Sequence, residues 1–253
     1  MFSHHHHHWA YVWIPVFGAF IWFSTLLSML ITWLASGRPR YVSQDGSIAY
    51  ISDVGADILK PLFIVGCAIT AVSFFLSLVV ERWLRHSGRL MPHLRKRERI
   101  LGSLAVLGSF IGGIGLILLS VFDTKRHSSL HRLFLLIFIV GVAMSAIFTI
   151  IEHRWISKDF VYFRKLRIAY IAKAIIATVL ILLAIAFAVA LYTSPNTGAF
   201  TDHSKAILEW IIAFGFTLYL LTFFYDLKQA KSMHKGQLSR ETMIEGHNYH
   251  TTY

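Results

Sequence analysis

The sequence predicts an all-α, polytopic integral membrane protein: a bundle of six transmembrane helices with both termini cytoplasmic. Three observations carry this. Of its 253 residues, 56% are hydrophobic and only 15% charged, more apolar material than one water-soluble core of this size can bury. Six runs reach the roughly 20 residues that cross about 30 Å of hydrocarbon as a helix, a conformation that satisfies backbone polar groups within the segment. Lys and Arg are also shared unequally between the connectors, as orientation in a membrane requires.

The first run, Tyr11 to Leu34, is too long for a secretory signal core, has no basic residue before it and lacks a small-residue cleavage site, so it is expected to stay in the mature chain. The second, Pro61 to Val80, holds Cys67, the single cysteine, which rules out an intrachain disulfide. The third and fourth, Ile100 to Val121 and Leu133 to Ile151, contain no charge. Gly108 and Gly112 in the third run form a small-xxx-small face suited to close helix approach, read here as packing within the monomer. The fifth, Ile168 to Tyr192, carries Lys173, which is expected to snorkel to the headgroups. The sixth, Ala206 to Tyr225, carries Glu209 about one turn inside, where an ionised carboxylate needs a partner; His131 and Lys205 are the candidates. Residues 1–227 therefore read as one membrane domain and 228–253 as a polar, disordered cytoplasmic tail. No internal repeat is evident, against an inverted-repeat transporter plan.

The connector after the second run contains Arg82, Arg85, Arg89, Arg95, Lys96, Arg97 and Arg99. With the connector after the fourth run and the tail, that side of the membrane holds sixteen Lys and Arg against seven on the other. The first hairpin alone favours the reverse, having no basic residue before it and Arg38, Arg40 and Lys60 after it, but the sum places both ends in the cytosol. A net charge of +11 can signal nucleic acid, yet no aromatic-interleaved groove or DNA-binding motif accompanies it. Membrane lipids, and anionic phosphoinositides in particular, are the expected partners, at about 1 kcal/mol per basic residue near the surface.

On the opposite side lies DTKRHSSLHR, in which Asp123, His127 and His131 are spaced by four. On one continuous helix they would share a face and could hold zinc, with Glu209 or Asp53 as a base. Lys125, Arg126 and Arg132 oppose cation binding there, and Ser128 or Ser129 reads as an N-cap that breaks the helix. A charge-paired turn is the preferred reading, with Asp123, His127, His131 and Glu209 kept as metal or catalytic candidates and no cofactor expected.

The segments YISDVGAD, SVFDTKRHSSLHR and LEWIIAFGFTLYLLTFFYDL resemble the family that groups FGF-receptor-activating protein, the damage-regulated autophagy modulators and the yeast suppressor-of-four-kinase protein. Tyr50, Ser52, Asp53 and Gly55 match its first-loop signature, His131 falls in the second segment, and Glu209 and Trp210 match its last-span signature; ERWLRHSGRL and LKPLF resemble the fungal branch. The resemblance implies six spans at the plasma membrane, or alternatively the endolysosomal or vacuolar membrane. It also implies roles in recruiting a lipid-kinase scaffold complex, in lipid asymmetry or in autophagy, and it carries over no catalytic residue. The preferred function is a non-enzymatic membrane regulator of lipid organisation and phosphoinositide signalling. A lipid-remodelling enzyme using the outward Asp/His/Glu group is the alternative, and a lipid transporter built around Glu209 ranks last.

Overall fold

The computed structural model describes residues 10–44, 46–90, 96–159, 164–193 and 199–230. All regular structure among them is helical: a 3-10 turn at Ala10–Trp13, then α1 (Ile14–Ala35), α2 (Ile51–Val54), α3 (Lys60–His86), α4 (Lys96–Val121), α5 (Ser128–Asp159), α6 (Arg164–Thr193) and α7 (Ala199–Lys228). Every α-helix except the short α2 is long and apolar enough to cross a membrane, the 3-10 turn extending α1, which gives six candidate spans among the described residues.

Local sequence sets the ends. Pro15 and Pro61 sit in the first turns of α1 and α3, where a missing N–H removes no intrahelical bond. Gly37 and Gly88 follow α1 and α3 at φ +79° and +65°, the left-handed conformation that lets the next residues satisfy the last carbonyls. After Gly37, for instance, Arg38 N–H reaches Trp33 O at 3.0 Å. The helices outrun the apolar runs, mostly into basic turns: α3 continues six residues beyond Val80, and α5 five before Leu133 and eight after Ile151. Hydropathy ends at the headgroups, whereas the backbone bonds that sustain the helix do not.

Each long helix packs against its neighbours in the chain, and α7 returns to α1, closing a ring of six. With an even number of spans, Ala10 and Ala230 lie at the same end of the bundle, called below the terminal end. Small residues bring α4 and α5 into the closest contact. A Cβ on Gly141 would stand 2.4 Å from Gly112 N, and one on Gly108 2.8 Å from Ser145 N, so the Gly108/Gly112 face is consumed inside the monomer. Between α1, α3 and α7 the ring is filled by aromatics: Phe74 lies 5.6, 6.2 and 5.9 Å from the rings of Phe216, Tyr219 and Phe223. Outward faces remain apolar, with Phe20 and Leu182 65% and 60% exposed, which is costly in water and neutral against lipid tails.

Candidate functional site

At the end away from the termini, the 36–59 connector folds over the top of α7. Asp53 lies at the third position of α2, and its Oδ2 accepts the Tyr50 N–H at 3.0 Å while Oδ1 accepts the Ser43 hydroxyl at 2.5 Å. This return bond is the carboxylate half of a capping box and fixes where α2 starts. The N–H groups of the first turn of a helix have no partner within it. Glu209 supplies one from 158 positions away, its Oε2 accepting the Ile51 N–H at 3.0 Å. Trp210 Nε1 donates to Ala49 O at 3.0 Å, and Ser47 Oγ lies 2.5 Å from His203 Nε2. Tyr50, Ser52 and Asp53 therefore lie in one junction with Glu209 and Trp210, whereas Gly55 faces Phe63 and Met29. The sequence points to His131 or Lys205 as the partner of Glu209; the group bonded to it is instead the amide of Ile51.

The turn between α4 and α5 forms a second cluster. Asp123 is buried and pairs with Lys60 and, at 3.6 Å, with Arg126, whose N–H also donates to Asp123 Oδ1 at 2.8 Å. Burial alone would raise this carboxyl; the bonds from Lys60 and Arg126 outweigh it and hold Asp123 below the usual aspartate value. His131 is buried one helical turn into α5, with Nδ1 2.8 Å from Leu119 O and 3.0 Å from Phe122 O. His127 is exposed and lies against the Phe122 ring at 5.6 Å. A turn at 124–126 separates α4 from α5, so no continuous helix aligns the three. Among the described residues their ligand atoms do not converge as a metal would need. Nor does Glu209 join them: it faces the amide of Ile51 and a cavity.

That cavity, of about 110 Å³, lies inside the ring between α5, α6 and α7. Leu135 to Ala146 of α5 and Ala177 to Phe187 of α6 form two walls, Trp22, Phe63 and Leu116 close the far side, and Glu209 and Tyr219 mark its extent along α7. Glu209 is the one ionisable acid or base in the lining apart from the Tyr219 phenol.

The terminal end holds a network of buried charges that the sequence does not single out. Glu81 accepts from Arg85 at 2.7 Å and lies 3.4 Å from His153 Nε2, while Glu152 stands 3.4 Å from Arg82 and 3.8 Å from Arg85. Lys173 is 1% exposed, pairs with Asp226 and sits 3.7 Å over the Phe223 ring. It does not snorkel, because a carboxylate and an aromatic face meet it inside the bundle. Ligand atoms of Glu81, His153 and Asp226 lie within 4.8 Å of one another. Arg85 and Lys173 already neutralise two of these three groups, so the arrangement is an ion-pair network. Arg85 thus points inward, and Arg82 is half-buried against Glu152, Ser103 and the Arg99 carbonyl. Arg89 is partly buried, Lys96, Arg97 and Arg99 are exposed, and Arg95 lies outside the described residues, as does nearly all of the tail.

The sequence model described as the Frag1/DRAM/Sfk1/Cwh43P N-terminal domain matches residues 10–230, from the turn before α1 to two residues past α7. The chain belongs to this family. Protein sfk1 of Schizosaccharomyces pombe is 31% identical over 228 residues, covering 88% of this chain and 66% of that protein. Protein SFK1 of Saccharomyces cerevisiae is 27% identical over 175 residues, 57% of this chain and 49% of the relative, so the chain spans about two thirds of the first and half of the second. Both are fungal, in accord with the fungal branch. No solved structure matches the chain.

In this Frag1/DRAM/Sfk1 protein the first loop and the last span satisfy each other's polar groups: Glu209 accepts the Ile51 N–H and Trp210 donates to Ala49 O. The terminal network carried a weaker signal. Glu81, Glu152, Lys173 and Asp226 each lie near the same end of a span, and intramembrane charges so placed pair with one another.

Proposed function

We propose that this six-span protein is a non-enzymatic membrane regulator that gathers anionic lipid headgroups, phosphoinositides foremost, on a basic patch at its terminal end. The observation that carries the reading is the division of labour among the basic residues after α3. Arg82 and Arg85 are spent on Glu152 and Glu81, whereas Lys96, Arg97 and Arg99 stay exposed on the first turn of α4. Positive charge at a helix N-terminus is unfavourable by a few tenths to about 1 kcal/mol, and a phosphate beside it relieves both charge and dipole. Three such residues are worth about 3 kcal/mol toward an anionic surface. The same patch is the surface this reading offers to a lipid-kinase scaffold, with the plasma membrane as the site of action and the vacuolar or endolysosomal membrane as the alternative.

Changing Lys96, Arg97 and Arg99 together to Gln tests it. The variant is expected to lower a phosphoinositide reporter signal at the membrane where the protein resides, and to weaken binding to phosphoinositide-containing nanodiscs by about 100-fold. A correctly localised variant with wild-type reporter signal and wild-type binding would sink the proposal.

A further inference from the structure

The ring is not equally tight around its circumference. Among adjacent pairs, α5 and α6 make the sparsest contact. Only 11% of the apolar window of α6 and 22% of that of α5 is buried inside the protein, against 39 to 50% for the other four spans. The cavity lies behind this gap, and alanines form much of its wall there: Ala143 and Ala146 on α5, Ala177 and Ala184 on α6. In lipid, small residues at a helix contact normally bring backbones together, as they do between α4 and α5. Between α5 and α6 they leave room instead.

Dimensions and chemistry define an occupant. From Glu209 to Tyr219 is ten residues of α7, or about 15 Å, half the thickness of the hydrocarbon core. The cavity thus reaches from just below the end away from the termini to about the middle of the bilayer, the depth of one leaflet. Its wall is apolar, so water gains no partners there, and a chain of methylenes from the neighbouring lipid does. Two polar groups are exceptions. Tyr219, 1% exposed, has a buried hydroxyl without a hydrogen-bond partner, and Glu209 presents its carboxyl group. The two oxygens of a carboxyl group hold more acceptor positions than the amide bonds at the start of α2 use, which leaves capacity toward the cavity.

We propose that the α5–α6–α7 cavity takes the first few methylenes of one hydrocarbon chain of a lipid from the leaflet facing away from the termini, the rest of the chain lying in the gap between α5 and α6, with a hydroxyl or amide donor of its polar end bonded to Glu209. The alanines set the width of the site, and the junction of α2 with α7 sets its depth by holding Glu209. The site is independent of the basic patch, which lies at the other end of the bundle.

The full chain in phosphatidylcholine nanodiscs is to be irradiated with two diazirine probes, a long-chain monoacylglycerol and the methyl ester of the same acid, and the adducts mapped by mass spectrometry. Both probes are expected to label the inner wall of α5 and α6. Ala177→Phe and, separately, Ala184→Phe should reduce inner-wall labelling about tenfold while labelling of the lipid-facing Leu182 and Ile185 persists. Glu209→Gln keeps an acceptor for Ile51 N–H but replaces the other oxygen by an amide donor, which cannot accept from the lipid; it should lower monoacylglycerol labelling about fivefold and spare the ester. Unchanged thermal unfolding of each variant certifies its fold, and either alanine variant suffices. Adducts confined to lipid-facing residues, or inner-wall labelling that survives a folded Phe variant, overturn the site. Equal response of the two probes to Glu209→Gln overturns the placement of the polar end.

Discussion

Asp123 shows how a single residue can be held in one charge state by its surroundings. Lys60 from the start of α3 and the Arg126 side chain and amide all favour the carboxylate, against the opposing effect of burial, so its proton affinity is depressed in the folded protein. A depressed carboxyl contributes stability that is present above its unfolded value, about 3.9, and lost as pH falls through the folded value. Asp123→Asn is therefore expected to lower stability by about 1 to 2 kcal/mol at pH 7, with the difference from wild type lost in acid once the folded carboxyl is protonated. Thermal unfolding of both proteins in the same detergent at neutral and acid pH measures it; a gap that persists in acid would contradict the assignment. At this scale the sequence announces polar groups without naming their partners. Glu209 was legible as an expensive carboxylate, but its partner is a backbone amide, a group every residue except proline possesses and no side-chain pattern reveals. Lys173 was misread for the complementary reason: Asp226 is 53 positions away, and only the closure of α7 beside α6 brings them together.

Whole helices were far more legible than their partners, since about 20 apolar residues in a row have one solution in lipid. Their ends were not, because basic turns continue the hydrogen-bond ladder past the hydrocarbon. The four residues of α2 were invisible, being too short to show a period. Which helices touch closely is written in glycine, but the sequence shows the face and not its depth. Gly141 and Gly113 separate the two. A Cβ on Gly141 would meet Gly112 N and Cα at 2.4 and 2.6 Å, backbone atoms that cannot turn aside, whereas one on Gly113 would meet Ala71 Cβ at 3.5 Å, an ordinary contact. Gly141→Ala should thus force α4 and α5 apart and cost about 1 to 3 kcal/mol. Gly113→Ala should be neutral or stabilise by up to about 1 kcal/mol through helix propensity alone. Denaturant unfolding in mixed micelles ranks them, and an equal effect of the two would show that the α4–α5 contact is looser than its distances.

At the scale of the molecule, the remaining question is which way the bundle faces, and the answer depends on when charge acts. In the folded protein much of the basic excess is hidden: Arg82 and Arg85 are paired at the terminal end, Lys60 and Arg126 at the other. Orientation, however, is decided as the spans insert, before these pairs exist, and acidic residues weigh little in it. The relevant quantity is the raw count along the chain, sixteen against seven in favour of a cytosolic terminal end. A glycosylation acceptor introduced into the 36–59 connector should then be modified when the protein is made at the endoplasmic reticulum, and one introduced at 88–95 should not. The first hairpin carries the opposite bias, with Arg38, Arg40 and Lys60 after α1 and no Lys or Arg before it, so the later connectors must overrule it. Replacing Arg89, Arg95, Lys96, Arg97 and Arg99 by Gln removes most of that control, leaving eleven against seven, and should yield a mixed population in which a fraction is modified at 88–95. Modification at 88–95 in the unaltered chain would reverse the bundle, placing the basic patch outside and the junction of α2 with α7 in the cytosol.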